Sequence, residues 1–194
     1  MSSKSHKHFP SSYGMFCAKK TNHHRKGVIK GLNRFCARYR LAHSFSGITL
    51  DTYSAKTTRI YGSMFGMFLA YTAYEALLPA ARQLGAVLSE RTEENVVLDE
   101  KLSKKLRANI HMRDFLLEHT RDSDLKLKLK SFYKGNFHDI TCVGYAVRNT
   151  FSHGDLLTSD IGSGLASDRK LLDEMAAVLM AYCDEVFSKC ARRL

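Results

Sequence analysis

Apolar positions along the chain recur mostly at three- and four-residue steps, which predicts helices. Val28, Leu32, Phe35 and Tyr39 follow this spacing while Lys30, Arg34, Arg38 and Arg40 fill the gaps. That is a short basic amphipathic helix over 28–40, with one face for the protein and one for phosphate. Between Arg59 and Arg82 lie 22 residues with a single charge, Glu75. The length suits a membrane span, but Tyr61, Ser63, Tyr71, Thr72, Tyr74, Glu75 and Pro79 are costly there, and no second such segment exists. The segment is read instead as a long helix in the centre of a bundle, covered by its neighbours. Gly62 and Gly66 are placed to let another helix come close, and Pro79 to end or kink the segment.

Further on, Leu98, Leu102 and Leu106, then Phe115, Leu116 and Leu117, predict one or two helices with charged outer faces. The run LKLKLK at 125–130 alternates as a strand does, yet Leu125, Leu129, Phe132 and Tyr133 also make a helical stripe. In a helical context it is read as helix. Phe137, Ile140, Gly144, Val147 and Phe151 mark another helix, with Gly154 as its stop. A last helix runs from a Ser167 cap, with Asp168 in its first turn, to Arg192 and Arg193. The stretch 156–167 between them, rich in Gly and Ser, reads as a loop. Residues 1–26 mix charge, Ser, His and Gly without periodicity and are read as a mobile or partner-ordered arm.

Composition narrows the class. With 194 residues and 44% apolar side chains, a core of ordinary size is expected. Two prolines and no tryptophan, with few turn dipeptides, disfavour an all-β fold. An all-α domain is expected. The five cysteines are widely spread with no CxxC pair, which fits a reducing, cytoplasmic setting better than a disulfide scaffold. No secretory signal is evident, and five histidines in the first 50 residues weaken a transit-peptide reading.

Charge is distributed unevenly. The formal balance is +11, but residues 1–50 hold ten basic side chains and no acid, whereas the other 144 carry 20 basic and 19 acidic ones. A uniformly basic coating protein is thereby excluded. The expected organisation is a basic arm over 1–50 and a nearly neutral helical domain over 51–194.

Candidate chemistry gathers in VRNTFSHGDL at 147–156, where Arg148, Asn149, Ser152, His153 and Asp155 fall beside a helix end. The pattern of an Arg, a polar residue, three more residues and a His resembles the HEPN family of small helical bundles. Spacing alone is weak: 14 Arg and 9 His give about two such pairs by chance, and Arg38 to His43 and Arg113 to His119 are decoys. Context favours Arg148, because its helix is cleanly amphipathic, a glycine follows, and one long helix comes after. The resemblance covers about residues 52 to 194 and implies a HEPN-like bundle of about five helices, with Tyr74 and Glu75 on the first core helix. It also implies a homodimer with paired motifs.

The activity it implies is metal-independent cleavage of RNA by 2′-hydroxyl attack, of the toxin or defence kind, with no cofactor and no metal. Such a reaction needs proton transfer and a cation on the phosphorane. Arg148 would supply the cation, His153 the proton transfer and Asn149 an orienting hydrogen bond. Ser152, Asp155, Glu75, Arg34 and Arg38 are candidates for binding substrate; an antitoxin or partner protein is a further candidate. On an ideal helix Arg148 lies about 60° from the apolar centre, Asn149 about 160° and His153 about 200°. Arg148 and His153 therefore do not converge unless the helix loosens or two copies face each other. The same residues also read as an ordinary helix end, with Gly154 as cap and Arg148 in the preceding turn. Glu75 is a candidate partner for Arg148 or for a core tyrosine. Cys17, His23, His24 and Cys36 are zinc-ligand types whose spacing matches no compact knuckle. The rival reading is a non-catalytic HEPN-like module that binds RNA or protein; a third is a helical adaptor with an acidic partner.

Overall fold

The computed structural model describes residues 7–21, 25–87, 100–137, 139–152 and 166–194, and among them every regular element is helical. Eight helices follow in order: α1 (Tyr13–Lys19), α2 (Lys26–Ser44), α3 (Ala55–Gln83), α4 (Glu100–Ala108), α5 (Ile110–His119), α6 (Ser123–Tyr133), α7 (Thr141–Ser152) and α8 (Ala166–Arg193). No helix of the described residues is long and apolar enough to cross a membrane.

Two compact units share these helices. The first comprises Met1–Phe45, Thr72–Glu94 and Leu179–Leu194, and the second Ser46–Tyr71 and Asn95–Val178. This differs from a division at residue 50 into arm and domain. The reason lies in α1, which has one fully buried side chain, Phe16. Its ring stands edge-on to Phe187 at 5.6 Å, and Phe35 of α2 meets the same Phe187 at 5.2 Å. Polar contacts hold the segment as well: Asp184 accepts from the Ser11 N–H at 2.7 Å and from its hydroxyl at 2.8 Å, and Lys19 donates to the Arg192 carbonyl at 2.9 Å. Residues 7–21 are thus part of a core.

In the first unit α2 turns Val28, Leu32, Phe35, Cys36 and Tyr39 inward and leaves Lys30, Arg34, Arg38 and Arg40 exposed, as its spacing predicts. Pro79 lies inside α3, exposed to solvent, and the helix continues past it. The true stop is Gly85, whose φ of +62° lets Gly85 N–H bond Arg82 O at 2.9 Å and Ala86 N–H bond Ala81 O at 2.8 Å.

In the second unit α4, α5, α6 and α7 pack on one another. Two caps break what the spacing leaves as one or two helices. Asn109 accepts from Met112 N–H at the start of α5, and Asp122 accepts from Asp124 and Leu125 N–H at the start of α6. The alternating LKLKLK run is helical, with Leu125, Leu129 and Phe132 buried. Close approach of helices occurs at Gly144 rather than Gly62: a Cβ on Gly144 would lie 2.8 Å from Met67 Cε and 2.9 Å from Tyr71 Cδ2, whereas one on Gly62 meets nothing within 4 Å. Ser167 is not a cap, since α8 starts at Ala166.

Candidate functional site

The Arg148 region is the end of α7, and its position follows from packing. Asp139 accepts the Thr141 N–H at 2.8 Å and its hydroxyl at 2.7 Å, which starts the helix after Ile140 and leaves Phe137 outside it. Cys142, Val143, Ala146, Val147 and Thr150 are buried along one face. At the last turn Phe151 packs between Phe65 at 5.4 Å and Phe68 at 5.0 Å, both from α3. Tyr145 stacks with Tyr71 at 5.9 Å. With Gly144 admitting Tyr71, these contacts hold the register of α7 against that part of α3.

On this frame Arg148 and Asn149 are both partly buried. Arg148 Nη1 donates to Asn149 Oδ1 at 2.9 Å, and the guanidinium carbon lies 6.0 Å from the Tyr145 ring centroid. Neighbouring residues on a helix diverge by about 100°, so the long Arg148 side chain swings round the helix to reach the Asn149 face. Tyr145, three residues earlier, is an aromatic neighbour of the guanidinium that the motif itself does not contain; the i, i+3 spacing is the signal for it. Ser152 is exposed, and its hydroxyl donates to the Arg148 carbonyl at 2.9 Å. The hydroxyl proton is thereby engaged by a carbonyl of its own helix, one turn back. His153 and Asp155, with Gly154, lie outside the described residues.

The remaining described candidates, Arg34, Arg38 and Glu75, belong to the first unit. Arg34 and Arg38 are exposed, one turn apart on α2, and Arg38 Nη1 donates to the Thr72 carbonyl at 3.1 Å. Glu75 is partly buried. The decoy at Arg113 is an ion pair with its neighbour, Nε to Asp114 Oδ1 at 2.8 Å, and His119 packs on Phe115 with ring centroids 4.5 Å apart. Both groups of that pair are thus engaged locally.

Cys36, Cys142, Cys183 and Cys190 are disfavoured as nucleophiles by burial. Cys36 and Cys142 are each pushed up to about 12, and Cys190 to about 11, chiefly because burial penalises the thiolate. All five cysteines are free thiols. Of the zinc-ligand types, Cys36 is buried and His23 and His24 lie outside the described residues. Among the described residues no three His, Cys, Asp or Glu side chains cluster as a metal site. No protein-family model, curated protein or solved structure matches the chain.

Proposed function

We propose that the chain is a HEPN-like, metal-independent endoribonuclease that cleaves RNA by attack of the ribose 2′-hydroxyl, as a homodimer and of the toxin or defence kind. The observation that carries this reading is the Arg148 to Asn149 hydrogen bond at 2.9 Å, which draws a partly buried guanidinium to the Asn149 side of α7 near its end. A guanidinium there matches the oxygens of a phosphate and offsets the charge that builds on a phosphorane. His153, the next position but three after Asn149 in sequence, would move the proton between the 2′-hydroxyl, solvent and the leaving 5′-oxygen. The products would be a 2′,3′-cyclic phosphate and a 5′-hydroxyl. Arg34 and Arg38 would hold the RNA backbone.

A second reading, a module that binds RNA or a protein without turnover, is favoured by the exposed basic face of α2, where Lys26, Lys30, Arg34 and Arg40 all meet solvent. Labelled RNA incubated with the protein in EDTA, alongside Arg148→Ala and His153→Ala, separates the two. Cleavage in EDTA that either substitution abolishes supports the nuclease. Cleavage that needs metal, or survives both changes, overturns it; salt-sensitive binding without cleavage selects the module.

A further inference from the structure

Two histidines far apart in sequence meet at the surface of the first unit. His8 Nδ1 and His43 Nδ1 are 3.3 Å apart, with ring centroids 5.5 Å apart and planes at 62°. His43 is exposed at the end of α2 and its other ring contact is Tyr39, stacked at 5.8 Å. We propose that His8 and His43 form a two-imidazole site for a borderline divalent transition ion such as Zn²⁺, which ties the segment before α1 to the end of α2.

The spacing of the two nitrogens suits two ligands on one ion. Zinc to imidazole bonds of about 2.0–2.1 Å at a tetrahedral angle place the two nitrogens about 3.3–3.4 Å apart. With the metal on the outward line from each ring centre, the centroids fall roughly 5.2 Å apart. The nitrogen separation agrees with the pair, and the observed centroid separation of 5.5 Å is the longer of the two, so each ring turns slightly about its side-chain torsions to converge on one ion, with no movement of either backbone. Two neutral nitrogen donors and no carboxylate select Zn²⁺, Ni²⁺ or Cu²⁺ over Mg²⁺ or Ca²⁺, which take oxygen. Lys7 precedes His8 in the chain, Arg40 lies 5.4 Å over the ring of Phe9, and these positive charges disfavour hard ions held by charge alone. Water completes the coordination at this exposed site.

A mechanical reason for such a tie is evident. Phe9 stacks on Tyr13 at 4.0 Å, Tyr13 approaches Phe16 at 6.1 Å, and Phe16 is fully buried. Closing the loop from residue 8 to residue 43 removes freedom from the unfolded chain and favours the seated segment.

The test is calorimetric titration of the reduced full chain with ZnCl₂, compared with His8→Gln, His43→Gln and the control His111→Gln. One binding event that weakens at least tenfold in each of the first two variants and persists in the control is expected. The same zinc should raise the melting temperature of the parent and the control but not of the two variants, whose metal-free melting checks that they fold. Equal zinc affinity in parent, His8→Gln and His43→Gln overturns the proposal. So does absence of zinc binding by the parent, which leaves the pair an N–H to N hydrogen bond.

Discussion

Asn109 is bound on both sides of its amide: its oxygen accepts from Met112 N–H at 2.9 Å, and its nitrogen donates to the carboxylate of Asp168, which is fully buried. One side chain therefore caps α5 and bonds one carboxylate oxygen of an acid in the first turn of α8. The two duties separate by substitution. Asn109→Ala loses both and should cost about 2–4 kcal/mol in urea unfolding, whereas Asn109→Ser keeps an equally good cap and should cost about 1.5–3 kcal/mol. Equal stability of Asn109→Ser and the parent would show that the Asp168 bond contributes nothing.

Gly144→Ala places a methyl where Met67 and Tyr71 already stand. The Met67 end group can rotate away, but the Tyr71 ring is buried and stacked on Tyr145, so the helices must part slightly. The expected loss is about 1–3 kcal/mol, read from the denaturation midpoint. Gly62→Ala, which meets nothing, should instead hold or raise stability by up to about 1 kcal/mol.

Phe16→Ala should destabilise the protein by about 3–5 kcal/mol, as for a large aromatic removed from a core. A detached arm would show no change. This also bears on any test of nucleic-acid affinity: deleting residues 1–40 would remove Phe16 and Phe35 from the core along with the charge. Arg34→Glu with Arg38→Glu isolates the electrostatic contribution, and filter binding across a salt series should show a shallower slope.

Alkaline pH should unfold the protein early. Cys36 and Cys142 rise from 9.0 to about 12 in the folded state, and Tyr39 from 10.0 to about 12, all mainly through burial. Groups whose folded values are raised favour the fold fully below about pH 9 and lose that contribution as pH climbs toward about 12. Urea midpoints should therefore fall steadily over that window. At pH 8 a thiol reagent should label Cys17, which is partly exposed, and spare Cys36, Cys142, Cys183 and Cys190 until denaturant is added.

If α7 carries the proposed cleavage, Asn149→Ala should lower the rate less than Arg148→Ala. Asn149 positions the guanidinium through the 2.9 Å bond, whereas Arg148 supplies the charge. Roughly tenfold against 10²–10³-fold is expected in single-turnover cleavage of labelled RNA.

Helix class was legible because Val28, Leu32, Phe35 and Tyr39, or Leu125, Leu129 and Phe132, repeat over several turns. Residues 13–19 were not, since seven residues with one buried side chain hold no measurable period, and the partner Phe187 is remote in sequence. That Pro79 does not end α3 has a local reason: it removes one N–H near the exposed end of the helix, and the next turn still forms, Leu84 N–H reaching Ala80 O at 3.1 Å. Arg148 and Asn149 could be singled out as a pair from their types, but their contact depends on a rotamer, which no spacing reports. The His8 and His43 pair, 35 positions apart, has no sequence signature at all.

The dependence of Phe16 and Phe35 on Phe187 has a temporal consequence. At about 5–20 residues per second, translation leaves the two early rings without their partner for roughly 10–30 s while the intervening helices are made. The whole second unit, ending at Val178, emerges before that partner does. A nascent chain of this kind offers its first aromatic side chains to whatever binds greasy segments at the ribosome exit, and stop codons placed just before position 187 should yield a product that such factors retain.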